Sequence, residues 1–380
     1  MHARFAAVAV FVWASHSVLD APTRLAADTI ELASGVRATR PQQPQVAVDA
    51  QGAIHVVFGV GQSVFYRRSQ DGGVTFAPPN ELPALGVVSL GMRRGPRIAV
   101  AGDTVVISAI AGPRGLGRDG DVVCCRSNDG GATWQGPVRV NDVESAAREG
   151  LHGMSAGADG MLCCVWLDLR RGKSDVMSST STDGGATWSK NILVYQSPDG
   201  SVCECCHPSV VIGNDGRIHV LFRNSLGGNR DMYVAASGDD GATFGKAQKL
   251  GATSWELDAC PMDGGAIACL PDGSIATVWR EDEAVFLQRG DVSAARLLGN
   301  GEQPWIATTK AGPYVTWLDD RPGKALLLPP RDAKPRELAA MANDPVIAAS
   351  ASGDGPVVAL WERRVGEDRF TIECEVLETR

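Results

Sequence analysis

Ser127-Asn-Asp-Gly-Gly-Ala-Thr-Trp134 is an octapeptide that the chain repeats with little change, as Ser69-Gln-Asp-Gly-Gly-Val-Thr-Phe76, Ser181-Thr-Asp-Gly-Gly-Ala-Thr-Trp188 and Ser237-Gly-Asp-Asp-Gly-Ala-Thr-Phe244. The aspartates Asp71, Asp129, Asp183 and Asp239 stand 58, 54 and 56 residues apart. Self-similarity at a period of this size marks a repeat architecture. Each residue type has a physical task in a tight turn. The Asp carboxylate accepts hydrogen bonds from the turn backbone, Gly supplies left-handed dihedrals, and the terminal aromatic plugs the hairpin into a core. The octapeptide is therefore read as a folding device and not as a catalytic motif.

The units around it share one train of features: a Pro-led or Gly-led apolar segment, a turn, a second apolar strand that often ends in Trp or Phe, a polar loop and a further strand. The opening segments start at Pro44, Pro96, Gly153, Pro208, Pro261, Pro304 and Pro345, and the second strands are expected at 54–58, 105–109, 161–166, 218–222, 275–279, 314–317 and 357–361. Units of roughly 50 residues with about four strands each predict an all-β propeller. Seven blades are favoured, with six as the alternative because the later units are short and lack the octapeptide. The last unit has three strands, and Thr29–Ala33 is a spare strand that would complete it and close the ring, leaving no long unpaired edge.

Composition agrees. Of 380 residues 44% are hydrophobic and 44 are Gly, which suits many short strands joined by tight turns. The formal charge of -8 excludes a general nucleic-acid binder, since no basic field would attract phosphate. Met1-His-Ala-Arg4, the apolar run Phe5–Ala14 and Ser15-His-Ser17 read as a signal peptide over 1–17, which implies export to a periplasmic or extracellular space. The apolar run is shorter than the roughly 20 residues a membrane span needs, so no membrane span is expected. Residues 28–380 are expected to form a single propeller domain.

The octapeptides in their Pro-led units resemble the Asp boxes of the sialidase superfamily of BNR-repeat propellers, and the resemblance covers nearly the whole mature chain. It implies a propeller whose channel face binds, and in sialidases hydrolyses, an anionic glycan. It further implies an arginine cluster for the substrate carboxylate, a Tyr nucleophile activated by a Glu, and an Asp acid. Arg97 in Pro96-Arg97-Ile98 is the nearest match to the family's first arginine. The nucleophile is missing: Tyr66, Tyr233 and Tyr314 fall inside expected strands, and Tyr195 on the outer part of a blade. Asp168 and Glu281 offer a carboxylate pair as another route to glycoside cleavage.

The loops expected on the channel face carry Arg94, Arg97, Arg170, Arg223, Arg230, Arg280 and Arg321, whose planar forks suit carboxylates and sulfates. The competing reading is that they pair with nearby acids, as the repeated Trp166-Leu-Asp-Leu-Arg170 and Trp317-Leu-Asp-Asp-Arg321 suggest. A second candidate centre is Cys203-Glu-Cys-Cys-His207 with Cys260 at the same point of the next unit. Cys203, Cys205, Cys206, His207 and Cys260 would suit copper or zinc, making a metal-binding or redox protein the alternative function, while in an exported protein a disulfide between Cys260 and one of the trio competes. Cys124-Cys125 and Cys163-Cys164 are expected to staple neighbouring blades, Cys269 and Cys374 to be buried apolar residues, and His55 and His219 to serve core packing.

Overall fold

A computed structural model describes residues 23–26, 29–290, 294–350 and 353–377, with side chains described from Thr29 onward; the expected signal segment lies outside the described residues. These residues form strands, turns and one three-residue 3-10 turn at Arg37–Thr39, and none forms a helix long and apolar enough to cross a membrane.

Five separate antiparallel sheets follow one another along the chain. The first is Pro41–Val48, Ile54–Val60, Ser63–Ser69 and Asn80–Glu81. The second is Arg97–Ala101, Thr104–Gly112, Asp121–Ser127 and Gln135–Arg139, with the short Val87–Val88 added. The third is His152–Ala156, Leu162–Asp168, Asp175–Ser181 and Ile192–Tyr195. The fourth is Ser209–Ile212, Ile218–Arg223, Met232–Ser237 and Gln248–Lys249. The fifth is Ala266–Cys269, Ile275–Glu281, Ala284–Arg289 and Arg296–Asn300. All seven expected second strands are present, whereas the segment from Pro261 is loop and its strand begins only at Ala266.

The number of separate blades is thus five and not the seven favoured from the sequence. The last two units share one eight-stranded sheet. Its cause is the strand Arg336–Ala349, which runs through without a turn: its first half pairs with Gly323–Leu328 and its second with Val357–Arg364. Thr29–Gly35 pairs antiparallel with Phe370–Leu377, placing Ile30 opposite Cys374. Successive innermost strands lie against one another from Pro41–Val48 through Arg97–Ala101, His152–Ala156, Ser209–Ile212, Ala266–Cys269 and Glu302–Thr309 to Arg336–Ala349, which in turn touches Pro41–Val48.

Both faces of each sheet are covered, so second strands read as near-continuous apolar runs rather than alternating ones. Leu162–Asp168 buries all seven residues. Trp166, Trp279, Trp317 and Trp361 occupy matching places on second strands and are at most 2% exposed; losing one such side chain costs about 3–5 kcal/mol. Apolar clusters fill each gap between sheets: Cys163, Val165 and Leu167 pack with Val210, Ile212 and Phe222, for example, across the third and fourth. The adjacent cysteine pairs belong to these cores. Cys124, Cys125, Cys163 and Cys164 are buried free thiols, with Cys124 and Cys164 in one cluster, so the expected staples are packing contacts and not disulfides. Cys374 is buried as expected, and Cys269 half-buried.

The four Asp boxes close third-to-fourth-strand turns with one geometry. In each, the Thr N–H donates to the Asp Oδ1 at 2.9 Å, from Thr75, Thr133, Thr187 and Thr243, and the Thr hydroxyl reaches Oδ2. The buried Ser69, Ser127, Ser181 and Ser237 donate to the same carboxylates and accept from a Gly N–H. The Thr hydroxyls first, with the backbone N–H groups and Ser hydroxyls behind them, hold all four carboxyls down at about 2.

Candidate functional site

Three innermost strands each carry a left-handed residue just before a proline: Gln43 (φ 55°), Gln303 (φ 55°) and Asp344 (φ 47°). The register of each strand shifts at that point. Non-Gly residues hold this conformation only where surroundings over-determine it, and such positions gather at functional sites. Here the three side chains bond to one another. Gln43 Nε2 donates to Asp344 Oδ2 at 2.8 Å, Gln303 Nε2 to Asp344 Oδ1 at 3.1 Å, and the Asp344 N–H to Gln303 Oε1 at 3.1 Å. Glu362 accepts the Gln43 N–H at 2.6 Å and pairs with Arg40, while burial, reinforced by Asp344, pushes its carboxyl up to about 7. Asp263, fully buried, accepts the Gln303 N–H at 2.7 Å, and burial raises its carboxyl too.

Two guanidinium groups adjoin this network, Arg93 from the loop before Arg97–Ala101 and Arg97 from the start of that strand. Arg93 crosses to the eight-stranded sheet, donating to the carbonyls of Gln303 (2.6 Å) and Pro345 (3.2 Å), with its Nε 3.6 Å from Asp344 and its guanidinium 5.1 Å from the Trp305 ring centre. His207 stacks on Trp305 as well, 5.6 Å away and 19° from parallel. The close approach of His207 dictates Gly264: a Cβ there would sit 2.3 Å from the His207 carbonyl oxygen and 2.6 Å from Nδ1. Arg97 donates only to carbonyls, of Arg93 (2.6 Å), Pro96 (3.0 Å) and Gly95 (3.3 Å). It borders a cavity of about 70 Å³ that Gln45, Gly153, Ser209 and Trp305 also line.

Several buried polar atoms here lack a hydrogen-bond partner among the described residues: Arg93 Nε, Arg97 Nε, His152 Nδ1, both ring nitrogens of His207 and Asp263 Oδ1. Burial and the neighbouring arginines hold His152 and His207 well below the usual imidazole range, so both are neutral at pH 7. Such groups carry a desolvation cost until something bonds to them. A larger recess of about 420 Å³ lies between the first and second sheets, lined by residues from Gln62 to Val64, from Glu81 to Val87, and Pro113. It offers one charged group, Glu81, which already accepts from Ser63.

The seven expected arginines part company. Arg97 and Arg223 are buried; Arg223 donates to the carbonyls of Asp263, Arg230 and Arg280. Arg223 and Arg280 both lie over Trp255, at 5.2 and 5.5 Å, and Arg280 and Arg321 share Glu302. Arg230 reaches the Leu257 carbonyl and Arg94 that of Glu149. Arg170 is held by Asp168, Asp142 and Asn191, realising the acid pairing within Trp166–Arg170. Asp168 itself is 0% exposed and accepts from Trp166 Nε1 and three Arg170 donors, while Glu281, on the fifth sheet, accepts from Thr253; the third and fifth sheets flank the fourth, so the two carboxylates are not brought together. The tyrosines sit on second, third and fourth strands, as anticipated. His55 bridges Tyr66 (2.8 Å) and Asp49 (3.1 Å) inside the first sheet, a hydrogen-bonded rather than purely apolar core position. Gln43, Asp263, Trp255 and Glu362 were not anticipated; the signal for the first was the repeated polar residue before Pro44, Pro304 and Pro345.

Of the five thiol-site residues, Cys205 and Cys260 form a disulfide, the alternative that competed with ligation. Cys203 Sγ lies 3.1 Å from Cys206 Sγ and 3.7 Å from Cys205 Sγ. The Cys206 contact, with help from Arg223 and Arg230, brings the Cys203 thiol down to about 7, and burial drives Cys206 well up. Cys203, Cys205 and Cys206 are close enough to hold a soft ion together once the disulfide is reduced.

Several solved structures share the fold. A protein of unknown function from Dyadobacter fermentans superposes at TM-score 0.54 and 16% identity, over 93% of this chain and 100% of that one. The GH93 α-L-arabinofuranosidase of Fusarium graminearum in complex with arabinobiose gives 0.55 and 14%, over 92% and 97%. The NanB sialidase of Streptococcus pneumoniae gives 0.51 and 11%, over 90% and 69%. At such identities the likeness is one of fold. No protein of curated function matches by sequence. The BNR repeat-like domain model matches residues 98–302, or 205 of 380 residues, and with the propeller and its Asp boxes this says that the chain belongs to the BNR repeat-like family.

Proposed function

We propose that the chain is an exported single-domain propeller, residues 28–380, that binds an anionic carbohydrate in its central channel, with the eight-stranded sheet closing the ring begun by the five separate blades. The ring reading is supported by the apolar cluster that joins Leu318, Ala325 and Leu327 to Ile347, Ala359 and Trp361 across that sheet. The binding reading rests on Arg97. It is 4% exposed, borders the cavity, has an unpartnered Nε and takes no carboxylate partner among the described residues. A buried cation without a counter-charge is costly, and an anion entering beside it recovers that cost. The cavity admits a carboxylate or sulfate, being about the size of two waters, while the sugar ring stays above it near Trp305. Binding rather than hydrolysis is proposed, because the oxygens of Asp168 are taken up by Trp166 and Arg170 and no tyrosine lies on an innermost strand.

Calorimetric titration with N-acetylneuraminate, glucuronate and arabinobiose tests this. Binding of the acidic sugars, at least tenfold weaker in an Arg97→Gln variant that melts like the parent, is expected. Equal binding of the neutral disaccharide, or no binding of either acid, overturns it.

A further inference from the structure

The four cysteines between the fourth and fifth sheets form a different kind of centre, independent of the carbohydrate reading. Cys203 and Cys206 are 1% and 2% exposed and stand in Cys-x-x-Cys spacing, with the Cys206 N–H donating to the Cys203 carbonyl and the sulfurs 3.1 Å apart. Beside this buried dithiol lies a disulfide, Cys205 being 3.7 Å from Cys203 sulfur to sulfur. The far end of that disulfide, Cys260, is exposed. A thiol in contact with one sulfur of a disulfide whose other cysteine is an exposed residue is the arrangement for exchange through a mixed disulfide.

We infer that Cys203, Cys205, Cys206 and Cys260 are a thiol–disulfide exchange site that passes two electrons from the buried Cys203/Cys206 dithiol to a disulfide-bearing molecule arriving at Cys260. Cys203 gives up its proton and its sulfur attacks Cys205 Sγ; the Cys205–Cys260 bond breaks, and the electron pair leaves on Cys260, which takes up a proton at the surface. Cys206 then attacks Cys203 Sγ in the same way, giving a Cys203–Cys206 disulfide and releasing Cys205 as a thiol. The Cys205/Cys260 dithiol next attacks the incoming disulfide, Cys260 first and Cys205 resolving, which reforms Cys205–Cys260 and liberates two thiols. In sum one external disulfide and the Cys203/Cys206 dithiol become two external thiols and a Cys203–Cys206 disulfide, so electrons and protons balance without a further reagent. The exposed sulfur is the entry point because Cys203 and Cys206 are out of reach of solvent.

The full chain, purified without reductant, is incubated with oxidised glutathione, and thiols are mapped by differential alkylation and mass spectrometry. The expected start is Cys205 linked to Cys260 with Cys203 and Cys206 free, and the expected end is two glutathiones released per chain with Cys203 linked to Cys206. Cys260→Ser, checked by its melting curve, should slow the release at least tenfold. Cys206→Ser should stop at a Cys203–Cys205 disulfide with Cys260 carrying one glutathione and one glutathione released, a state that misfolding would not produce. Unreacted Cys203 and Cys206 in the wild-type chain, a Cys260→Ser variant as fast as the parent, or purified protein carrying one copper or zinc on these sulfurs with no Cys205–Cys260 link would each overturn the inference.

Discussion

The two ends of the blades solve the same problem, satisfying turn backbone, in opposite ways. At the Asp boxes the bonds to the Asp carboxylates and Ser hydroxyls join residues two or four apart, so the turn itself is built locally and four copies converge on one geometry, while Tyr66 and Asn80 of the neighbouring unit reach only backbone carbonyls of the second box. At the channel the repeated positions Gln43, Gln303 and Asp344 bond to one another across 41 to 301 residues of sequence. A self-contained turn can be copied unchanged, whereas positions that face one another must differ so that donors meet acceptors. The channel is therefore where chemistry can diverge, and where one substitution is felt by several sheets.

Arg93→Ala tests that contrast most severely. It removes the donors to Gln303 and Pro345 and leaves Asp344 without its buried cation, so a loss of about 3–5 kcal/mol is expected by denaturant unfolding. A loss below about 1 kcal/mol would mean the channel is as modular as the boxes.

The two regions should also respond oppositely to pH. Glu362, held up at about 7, binds its proton more tightly folded than unfolded, so its contribution is complete below about 4.5 and is lost as pH rises through 7. The loss amounts to about 3 kcal/mol at roughly 1.4 kcal/mol per unit, and Glu362→Gln should flatten that limb. The box carboxyls, held at about 2, stabilise above about 4 and lose that contribution as pH falls towards 2. Stability measured between pH 2 and 8 in the parent and in Glu362→Gln separates the limbs.

Gly264→Ala should cost about 1–3 kcal/mol, since the added methyl collides with the His207 backbone and ring, and should perturb ligand binding with it. The smallest effect is expected of Asp183→Asn: a modest upward shift of the acid-unfolding midpoint, with binding in the channel unchanged. A box variant that altered channel binding would break the comparison.

Much of this was legible because it is local. The boxes and the seven second strands follow from turn chemistry and apolar runs whose causes lie within a few residues of one another, and the pairing of Thr29–Gly35 with the distant Phe370–Leu377 from counting a last unit one strand short. The merging of the last two units was not, because nothing in residues 336–349 forbids one strand from serving two neighbours; the left-handed Met341 and Asp344 lie where its pairing passes from one neighbour to the other. The arginines were recognised as a group, yet their destinations were not. Arg170 obeyed its local Asp168, while Arg93 and Arg223 found carbonyls 40 to 252 residues away.

The sequence by itself determined a repeat of four-stranded units, the place of each turn and the residues available to a channel, because strand periodicity and Asp-box bonding are short-range. Tertiary structure alone decided which of those residues remain unpaired: Arg97 facing a cavity without a carboxylate, and Cys203 and Cys206 left as thiols while Cys205 took Cys260. Pairing among these loops depends on which of them the packed sheets bring within about 3 Å, and that distance is set by the packing of whole blades rather than by any neighbouring residue.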